Sequence, residues 1–451
     1  MINKITLFGI LCLPFMMCGN DGAGKKVLLE KPVLTTSFPL NGGQNIPTGE
    51  QTLILTFDQN ITLESQHQIV LNEKSVSNAS AASKELKISA ILAESTGYTL
   101  TIPSGAVKGP TGVGADEIKI VFTTKGSEIV EIEKNLVSQN STPEAQNVYD
   151  FLAENFGKKA ISGTMANVSW NINEAEWVNK HTGKYPALNG FDYIHLHASP
   201  SIWIDYSNTE VVESWWENNG LVTVMWHWNV PVSEQSNDFA FYTEETSFNV
   251  SKAVQEGTYE NMIIKADLEK VANHLLLLQE KNIPVIWRPL HEAEGGWFWW
   301  GAKGPDPCKS LWKLMFDMFE EKGLNNLIWA WTTETDDHEW YPGDQYVDII
   351  GRDAYNRNAS TMFSEYDWIR QTYPDKIIAL SEFGSLSSIS DQWGSGAKWS
   401  WFMSWYDYNR TNNISGSAFN ETDHEHVNID FWKQAFQMDE VITRDELPNL
   451  K

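Results

Sequence analysis

Residues 288–301 read RPLHEAEGGWFWWG and place a histidine–glutamate pair directly before three tryptophans and a phenylalanine. Indole rings are common in hydrophobic cores and in binding sites, so the aromatic run alone does not separate these two roles. A glutamate is more informative, because carboxylates are almost never fully buried unless they are paired. The stretch is therefore either buried core or a carboxylic acid held beside an aromatic surface, and the rest of the chain must decide.

Short apolar segments alternate with longer stretches of helical periodicity in the second part of the chain. Residues 266–282, ADLEKVANHLLLLQEKN, are a helical stretch of this kind and are followed by Pro284, which suits a helix end. Eight such strand-like segments over about 300 residues predict a (β/α)8 TIM barrel. The segments are residues 159–165, 185–194, 221–229, 284–292, 327–334, 348–355, 377–384 and 399–407.

The ends of these segments carry the residues that could perform chemistry. In a TIM barrel the active site lies at the C-terminal ends of the strands. The fourth segment ends at Glu292 and the seventh carries Glu382 near its end. The third, sixth and eighth end near His227, Tyr355 and Trp405. Two carboxylates in an aromatic-lined cleft are the minimal machinery for cutting a glycosidic bond, with one acting as acid and the other as nucleophile or base.

Residues 32–124 contain no tryptophan and have a different pattern. Apolar residues alternate with polar ones in short runs, and glycine, proline and asparagine fill the gaps, which predicts a small β-sandwich. The region resembles bacterial immunoglobulin-like modules that follow lipoprotein leaders. A spacer is favoured over a binding module, since no exposed aromatic cluster is evident. The predicted buried faces are Leu53, Leu55 and Phe57; Tyr98, Leu100 and Ile102; and Ile118, Ile120 and Phe122.

The N-terminus, MINKITLFGILCLPFMMCGNDGAGKK, combines Lys4 with a short apolar run over residues 5–17. That run is too short to span a bilayer comfortably and is typical of an export signal. Cys18 stands at its polar boundary, which resembles a bacterial lipoprotein signal with lipidation at this cysteine. We expect a protein anchored to the outer membrane or cell surface. Because Met17 stands where a small residue is usual, a secreted or periplasmic protein is the alternative.

All 21 tryptophans fall between Trp170 and Trp432, so the composition changes sharply after the sandwich region. The mature part of the chain contains a single cysteine, Cys308, and cannot form an internal disulfide. The predicted organisation is a signal peptide over residues 1–18, a linker over 19–31, the immunoglobulin-like sandwich over 32–126, a linker over 127–143 and the barrel over 144–451.

The net charge of −26 comes from 59 acidic and 33 basic residues, with no basic patch. Such a chain would repel phosphate backbones, so we expect no nucleic-acid partner and a neutral ligand instead. No partner protein is indicated. Neither a cofactor nor a metal is expected, because a carboxylate pair supplies both the proton and the nucleophile. The pair His424 and His426 is weak evidence for a metal site.

RPLHEAEGGWFWWG together with SEFG, whose glutamate lies 90 residues after that of the HE pair, resembles glycoside hydrolase family 26. This is a (β/α)8 family of retaining enzymes dominated by endo-β-1,4-mannanases. The resemblance extends from about residue 144 to residue 450 and includes ISGTM at the first strand. Many related barrel hydrolases have asparagine before the acid, whereas this family has a histidine, here His291.

The resemblance implies roles for seven residues. Glu292 would be the acid/base and Glu382 the nucleophile, with their carboxyl groups about 5 to 5.5 Å apart, as in retaining enzymes. Tyr355 would orient Glu382 by a hydrogen bond. The remaining residues would bind the substrate: His227 and His291 at the subsite of the cleaved sugar, and Trp297 and Trp405 at the walls of the cleft.

Three alternatives remain open at the level of sequence. The same machinery could act on another β-glycan, such as mixed-linkage β-glucan or β-1,3-xylan. The insertion at residues 231–259 is long enough to close one end of the cleft and give an exo-acting enzyme that releases mannobiose. A non-catalytic glycan-binding lipoprotein is the third alternative, and the presence of both glutamates argues against it.

Overall fold

The computed structural model describes residues 30–72, 74–126, 131–167, 170–196 and 204–451. The predicted signal peptide, including Cys18, lies outside these residues. None of the helices in the described ranges has both the length and the apolar character needed to cross a membrane.

The N-terminal region is built from β-strands in two main sheets, ordered β1-β3-β8-β7 and β2-β11-β9-β5-β6, with a small β10-β4 pair beside them. Neighbouring strands run antiparallel in the pairs β1 with β3, β7 with β8 and β5 with β9. The strands are β1 Leu34–Phe38, β2 Gly43–Ile46, β3 Gly49–Phe57, β4 Thr62–Leu63, β5 Val70–Leu71, β6 Lys74–Ser75, β7 Ala79–Ala82, β8 Glu85–Leu92, β9 Gly97–Ile102, β10 Val107–Lys108 and β11 Ile118–Thr124.

The alternating pattern correctly predicted the buried faces of this region. Leu53, Leu55 and Phe57 in β3 are at most 1 % exposed. In β11, Phe122 is buried, whereas Ile118 is only half-buried at the start of the strand. The predicted all-β sandwich is therefore confirmed. The domain boundaries themselves stay predictions.

The C-terminal region contains a closed barrel of eight parallel strands, in the order β13-β14-β17-β18-β19-β20-β21-β12, with β12 also paired to β13. Each predicted strand segment contains one of these strands, so the (β/α)8 fold is confirmed. The strands are β12 Ala160–Met165, β13 Leu188–Asp192, β14 Leu221–Trp226, β17 Val285–Pro289, β18 Leu327–Thr333, β19 Ile349–Tyr355, β20 Ile377–Gly384 and β21 Trp401–Ser404.

In the described part of the C-terminal region, three short strands were not predicted. The pair β15 Val230–Pro231 and β16 Phe239–Ala240 forms an antiparallel hairpin in the insertion after β14. β22 Val441–Ile442 pairs in parallel with β12 at the start of that strand. Each has only two residues, which is too few to produce a recognisable hydrophobic period.

Helices connect the barrel strands. The predicted helix at residues 266–282 overlaps α5, which ends earlier, at Gln279. It begins at residue 259, where the Thr258 side chain accepts a hydrogen bond from the backbone of Asn261 and caps the helix. The helices are α1 Pro143–Asn155, α2 Asn173–Thr182, α3 Glu210–Glu217, α4 Val250–Ala253, α5 Tyr259–Gln279, α6 Pro305–Glu321, α7 Ala359–Thr372, α8 Ile389–Ser395, α9 Tyr408–Thr411 and α10 Ile429–Ala435.

Most of the indole rings fill the core between these helices and the barrel. Trp329 in β18, for example, packs against Trp312, Phe316 and Phe319 of α6 with ring centroids 5.1–5.9 Å apart. The abundance of tryptophan is thus largely a packing feature. The fully buried tryptophans are Trp177, Trp215, Trp226, Trp228, Trp287, Trp299, Trp300, Trp312, Trp329, Trp399, Trp401 and Trp432.

Candidate active site

Glu382 lies in β20 beside Asp353 of the neighbouring strand β19, next to a shift in the register of this strand pair. One oxygen of Glu382, Oε1, accepts a hydrogen bond of 2.6 Å from the hydroxyl of Tyr355. The other, Oε2, accepts one of 2.7 Å from Nη2 of Arg288. Two charged or strongly polar donors therefore hold the Glu382 carboxylate in one orientation.

Arg288 is a buried cation inside the barrel, with 1 % of its surface exposed. Its Nη1 donates to Oδ2 of Asp353 at 2.6 Å, while its Nη2 reaches Glu382. Oδ1 of Asp353 accepts from Ser381 at 2.7 Å. With the Tyr355 hydroxyl on Glu382, each of the four oxygens of the two carboxylates has a donor. The cluster thus meets the requirement that buried charges be paired and hydrogen-bonded.

Glu292 lies in a turn after β17, whereas Glu382 lies within β20. The predicted strand segment ran to residue 292, but β17 ends at Pro289, and both Leu290 and Glu292 have left-handed backbone angles, with φ of 51° and 52°. Such angles cost on the order of 1 kcal/mol for residues other than glycine and concentrate at functional sites. The turn takes the Glu292 side chain out of the strand register at the mouth of the barrel.

The environment of Glu292 favours its protonated form. Burial raises the pKa of Glu292 to about 9, and the charges of Glu382 and Asp353 add to this effect. The indole N–H of Trp297 donates to Oε2 of Glu292 at 3.0 Å and acts in the opposite direction. The two glutamates are therefore prepared for opposite tasks: Glu292 to hold a proton and Glu382 to carry a charge.

Tyr355 is the second hydrogen-bond donor to the Glu382 carboxylate, beside Arg288. Burial and the charge of Glu382 raise the pKa of the Tyr355 hydroxyl, which keeps its proton in place for donation. This hydrogen bond joins the ends of the sixth and seventh barrel strands, as the family resemblance implied.

His227 and His291 lie side by side, with their ring centroids 4.6 Å apart. Nδ1 of His227 contacts Oδ2 of Asp192 at 2.6 Å, and the same carboxylate accepts from the His227 backbone at 3.0 Å. Burial, with the nearby His227 and Arg288, holds the pKa of His291 well below its usual range, so His291 is neutral. Nδ1 of His291 is buried and has no hydrogen-bond partner among the described residues.

The predicted aromatic residues divide into two groups. Trp297 is 42 % exposed, and Trp405 is partly exposed with its ring 5.9 Å from that of His227. By contrast, Trp299 and Trp300 are fully buried, and the Trp300 N–H donates to the backbone carbonyl of His291. The run WFWW thus combines one indole at the mouth with two that support the turn carrying Glu292, so both interpretations of the opening stretch are correct for different residues.

The insertion at residues 231–259 lies against this aromatic loop. Tyr242 and Phe298 form an isolated antiparallel bridge, and their rings are stacked with centroids 5.6 Å apart. The backbone N–H of Thr243 donates to the carbonyl of Trp297 at 2.7 Å. The insertion is therefore tied to the loop that follows β17.

Three residues important to this geometry received no role from the sequence. They are Asp353, Arg288 and Asp192. The available signal was Arg288 itself, which stands within an otherwise apolar strand segment. A buried charge of this kind needs buried partners, so acidic residues on neighbouring strands could have been expected. Nothing local marks Asp192, whose partner lies 35 residues away in sequence.

No group of three histidine, cysteine, aspartate or glutamate side chains in the described ranges could hold a metal ion. His424, one of the two histidines considered for a metal site, instead contacts the carboxylate of Glu174 at 3.0 Å. Cys308 is buried and unpaired.

Comparison with known proteins agrees with this architecture. The profile of glycosyl hydrolase family 26 matches residues 137–427, more than half of the chain. The profile of a bacterial Ig-like domain matches residues 30–124.

Curated relatives include a mannan endo-1,4-beta-mannosidase of Thermothelomyces thermophilus, which is 35 % identical over 328 residues, covering 70 % of this chain and 64 % of the relative. Mannan endo-1,4-beta-mannosidase B of a Piromyces species is 34 % identical over 329 residues, covering 71 % of this chain and 54 % of the relative. The chain thus spans roughly half to two-thirds of the length of these relatives.

Solved structures include the GH26 domain of an endo-beta-mannanase/endo-beta-glucanase from Prevotella bryantii, with 37 % identity and a TM-score of 0.63, covering 70 % of this chain and 99 % of that one. A GH26-CBM35 beta-(1,4)-mannanase of Podospora anserina has 27 % identity and a TM-score of 0.66, covering 94 % of this chain and 98 % of that one. With a family profile over more than half of its length, and with two glutamates in opposite settings at the mouth of its barrel, the chain belongs to glycosyl hydrolase family 26.

Proposed function

We propose that the barrel is a retaining, endo-acting glycoside hydrolase that cleaves β-1,4-mannosidic bonds in mannan, galactomannan or glucomannan. The observation that carries the proposal is the contrast between the two glutamates. Two donors hold Glu382, whereas burial raises the pKa of Glu292 to about 9. Retaining hydrolysis needs this combination, an ionised nucleophile and a protonated acid in one cleft.

In the first step, a carboxylate oxygen of Glu382 attacks the anomeric carbon while the bond from that carbon to the glycosidic oxygen breaks. Glu292 gives its proton to the departing oxygen, so the leaving sugar departs as a neutral alcohol. The products of this step are a covalent glycosyl–enzyme ester on Glu382 and an ionised Glu292. Tyr355 and Arg288 limit the reorganisation of Glu382 before attack, because both already donate to it.

In the second step, Glu292 acts as base and takes a proton from a water molecule that attacks the same anomeric carbon. The ester bond to Glu382 breaks, the sugar leaves with its original configuration, and both glutamates return to their starting states. His227 and His291 are proposed to contact the hydroxyl groups of the sugar beside Glu382. The fixing of His227 by Asp192 and the side-by-side placement of the two imidazole rings support this role.

The choice of a mannan rests on the relatives, whose names describe mannan endo-1,4-beta-mannosidases. A neutral polysaccharide also suits a chain with a net charge of −26 better than an anionic polymer does. Trp297 and Trp405 offer partly exposed indole faces for sugar rings, and neither a metal nor a cofactor enters the mechanism.

We also propose that the protein is exported and anchored to the outer membrane or cell surface by a lipid on Cys18, with the immunoglobulin-like region as a spacer. The leader sequence supports this proposal, since its charged start, apolar run and boundary cysteine fit a lipoprotein signal. A tethered hydrolase with a spacer would reach a polysaccharide beyond the membrane surface.

The product pattern tests the substrate and the mode of action. We expect the protein without its leader to release a spread of manno-oligosaccharides early from unsubstituted mannan, galactomannan and glucomannan. Chromatography of samples taken over time measures these products. Mannobiose alone would instead indicate an exo mode, with the insertion at residues 231–259 closing the cleft. Cleavage of mixed-linkage β-glucan alone would contradict the mannan assignment.

The roles of the two glutamates predict different chemical phenotypes. Glu382→Gln should abolish turnover while mannan binding is kept, because the nucleophile is lost and the shape is not. Glu292→Ala should slow mannan hydrolysis by about 10²–10⁴-fold, the usual contribution of a general acid or base. In Glu292→Ala, formation of the glycosyl–enzyme should remain fast with an aryl mannoside whose leaving group needs no proton. Azide should speed the breakdown of that intermediate in this variant and give a β-mannosyl azide. Full mannanase activity in Glu382→Gln would refute the nucleophile assignment.

The hydrogen bond from Trp297 to Glu292 predicts a shift in pH dependence. An N–H donor stabilises the ionised carboxylate, so Trp297→Phe should raise the pKa of Glu292 further. Glu292 must be protonated for the first step, and the alkaline limb of kcat/KM against pH should therefore move upward by up to about one pH unit. A downward move would contradict the sign of this interaction.

Lipidation is tested at Cys18. Cells that express the full chain should incorporate labelled palmitate into the protein and keep it in the membrane fraction. Cys18→Ala should abolish both, while Cys12→Ala should change neither. If the unaltered protein carried no label and were absent from the membrane fraction, simple secretion would be favoured.

A further inference from the structure

The motif His424-Glu425-His426 lies in the segment between β21 and α10, residues 405–428, which also carries Trp405 at the mouth of the barrel. His424 is not available for a ligand. Its side chain and that of Glu174, in the first turn of α2, are each 1 % exposed and lie 3.0 Å apart, Nε2 to Oε2. A buried carboxylate–imidazole pair therefore links α2 to this segment.

Glu174 holds the segment at more than one point. Its Oε1 accepts hydrogen bonds from the backbone N–H of Asp407 at 2.7 Å and from the hydroxyl of Thr411 at 2.6 Å. Its Oε2 contacts His424. One buried carboxylate thus joins the beginning of the segment to its end.

The hydrogen bonds of His424 determine which ring nitrogen carries a proton. Nδ1 accepts from the backbone N–H groups of His426, at 3.1 Å, and Val427, at 3.0 Å. An acceptor nitrogen carries no hydrogen, so in the neutral ring Nε2 bears it and donates to Glu174. His424 therefore transmits the position of Glu174 directly to the backbone of His426.

His426 in turn lies against the tyrosine that donates to the candidate nucleophile. The rings of His426 and Tyr355 meet edge to face with centroids 5.9 Å apart, and the His426 carbonyl accepts from the backbone of Ser385 at 2.9 Å. The close approach requires a glycine at position 384, because a Cβ there would lie 2.7 Å from both Nδ1 of His426 and the ring of Tyr355.

We propose that Glu174 and His424 are positioning residues, which through His426 hold Tyr355 in the orientation that donates to Glu382. The chain of contacts runs from Glu174 to His424 at 3.0 Å, to the His426 backbone at 3.1 Å, to the Tyr355 ring and on to Glu382 at 2.6 Å. The effect on turnover rests on the proposed hydrolase function, whereas the orientation of Tyr355 does not.

Stability alone is a poor explanation for this pair. A buried pair of charged or polar groups is often no better for stability than well-packed apolar side chains of the same volume, because both groups must lose their water. Its hydrogen bonds are directional, however, and fix the segment in one arrangement. A displacement of about 1 Å at a reacting group can cost about a hundredfold in rate, so a fixed orientation has a large effect on turnover.

The first test combines Glu174→Gln with a change at Tyr355. An amide cannot accept from all three donors, so in otherwise unaltered protein kcat on mannan should fall about tenfold or more, with little change in KM. With Tyr355→Phe already present, the hydroxyl to be positioned is gone, and Glu174→Gln should lower kcat no further. The fall in Tm should be the same in both backgrounds. An equal loss of kcat in both backgrounds, or no loss in the folded single variant, would overturn the proposal.

Glu176→Gln is the matched control. Glu176 lies on the same helix two residues away and accepts a hydrogen bond from Tyr185 at 2.9 Å, with no contact to the 405–428 segment among the hydrogen bonds described. It should leave kcat unchanged in both backgrounds, because its amide oxygen can still accept from Tyr185. A tenfold loss of kcat in this control would show that any weakening of α2 suffices, and would also overturn the proposal.

A crystal structure of Glu174→Gln provides a readout that does not depend on activity. The Tyr355 hydroxyl should no longer lie within hydrogen-bonding distance of Glu382. An unchanged contact of about 2.6 Å would overturn the positioning role even if the protein cleaved no mannan. Conversely, suppose that the tyrosine is displaced in Glu174→Gln while the unaltered protein cleaves no glycan. That result would support the positioning role and contradict the proposed function.

Discussion

The structure of the site depends on a buried cation, Arg288. Arg288 lies inside the barrel and divides its guanidinium between Asp353 and Glu382. Without it, two carboxylates on adjacent strands would face each other in a medium of low dielectric, where such repulsion is strong. An uncompensated buried charge costs several kcal/mol, so the arginine and the two acids stabilise one another only as a complete set. Tyr355 and Ser381 satisfy the remaining carboxylate oxygens.

This constraint also explains why two glutamates in one cleft behave differently. Glu382 accepts hydrogen bonds from the guanidinium and a phenol, which fix its orientation. Glu292 receives one indole N–H, and it lies close enough to the Glu382 and Asp353 carboxylates for their charge to add to burial in raising its pKa. The charge on Glu382, which lies 2.7 Å from Arg288, is thus one of the reasons why Glu292 keeps its proton. The acid and the nucleophile are prepared by the same cluster.

A second level of organisation lies behind this cluster. The strands fix the backbone positions of Tyr355 and Glu382, but a phenol that donates in one direction also needs a neighbour on its ring. His426 provides that neighbour, and it belongs to a loop segment rather than to a strand. Loops have few internal restraints, so side-chain hydrogen bonds to their backbone substitute for a ladder. The contacts of Glu174 and His424 have this character.

The sequence by itself determined the fold and most of the candidate site. Eight apolar segments separated by longer stretches specify the barrel, because a strand buried on both faces must be apolar along its length. Their ends brought Glu292, Glu382, His227, Tyr355 and Trp405 to one mouth, since parallel strands in a barrel all end on the same side. Alternation with period two likewise fixed the buried faces of the sandwich.

Only the tertiary structure decided which groups touch and in what state. The roles of Asp192 and Glu174 depend on partners 35 and 250 residues away, and no local pattern encodes such distances. The division of the WFWW run into one exposed and two buried indoles depends on where the turn at Leu290 and Glu292 directs the chain. The raised pKa of Glu292 arises from burial and from carboxylates on other strands, because a protonation state follows from the surroundings of a group and not from its identity.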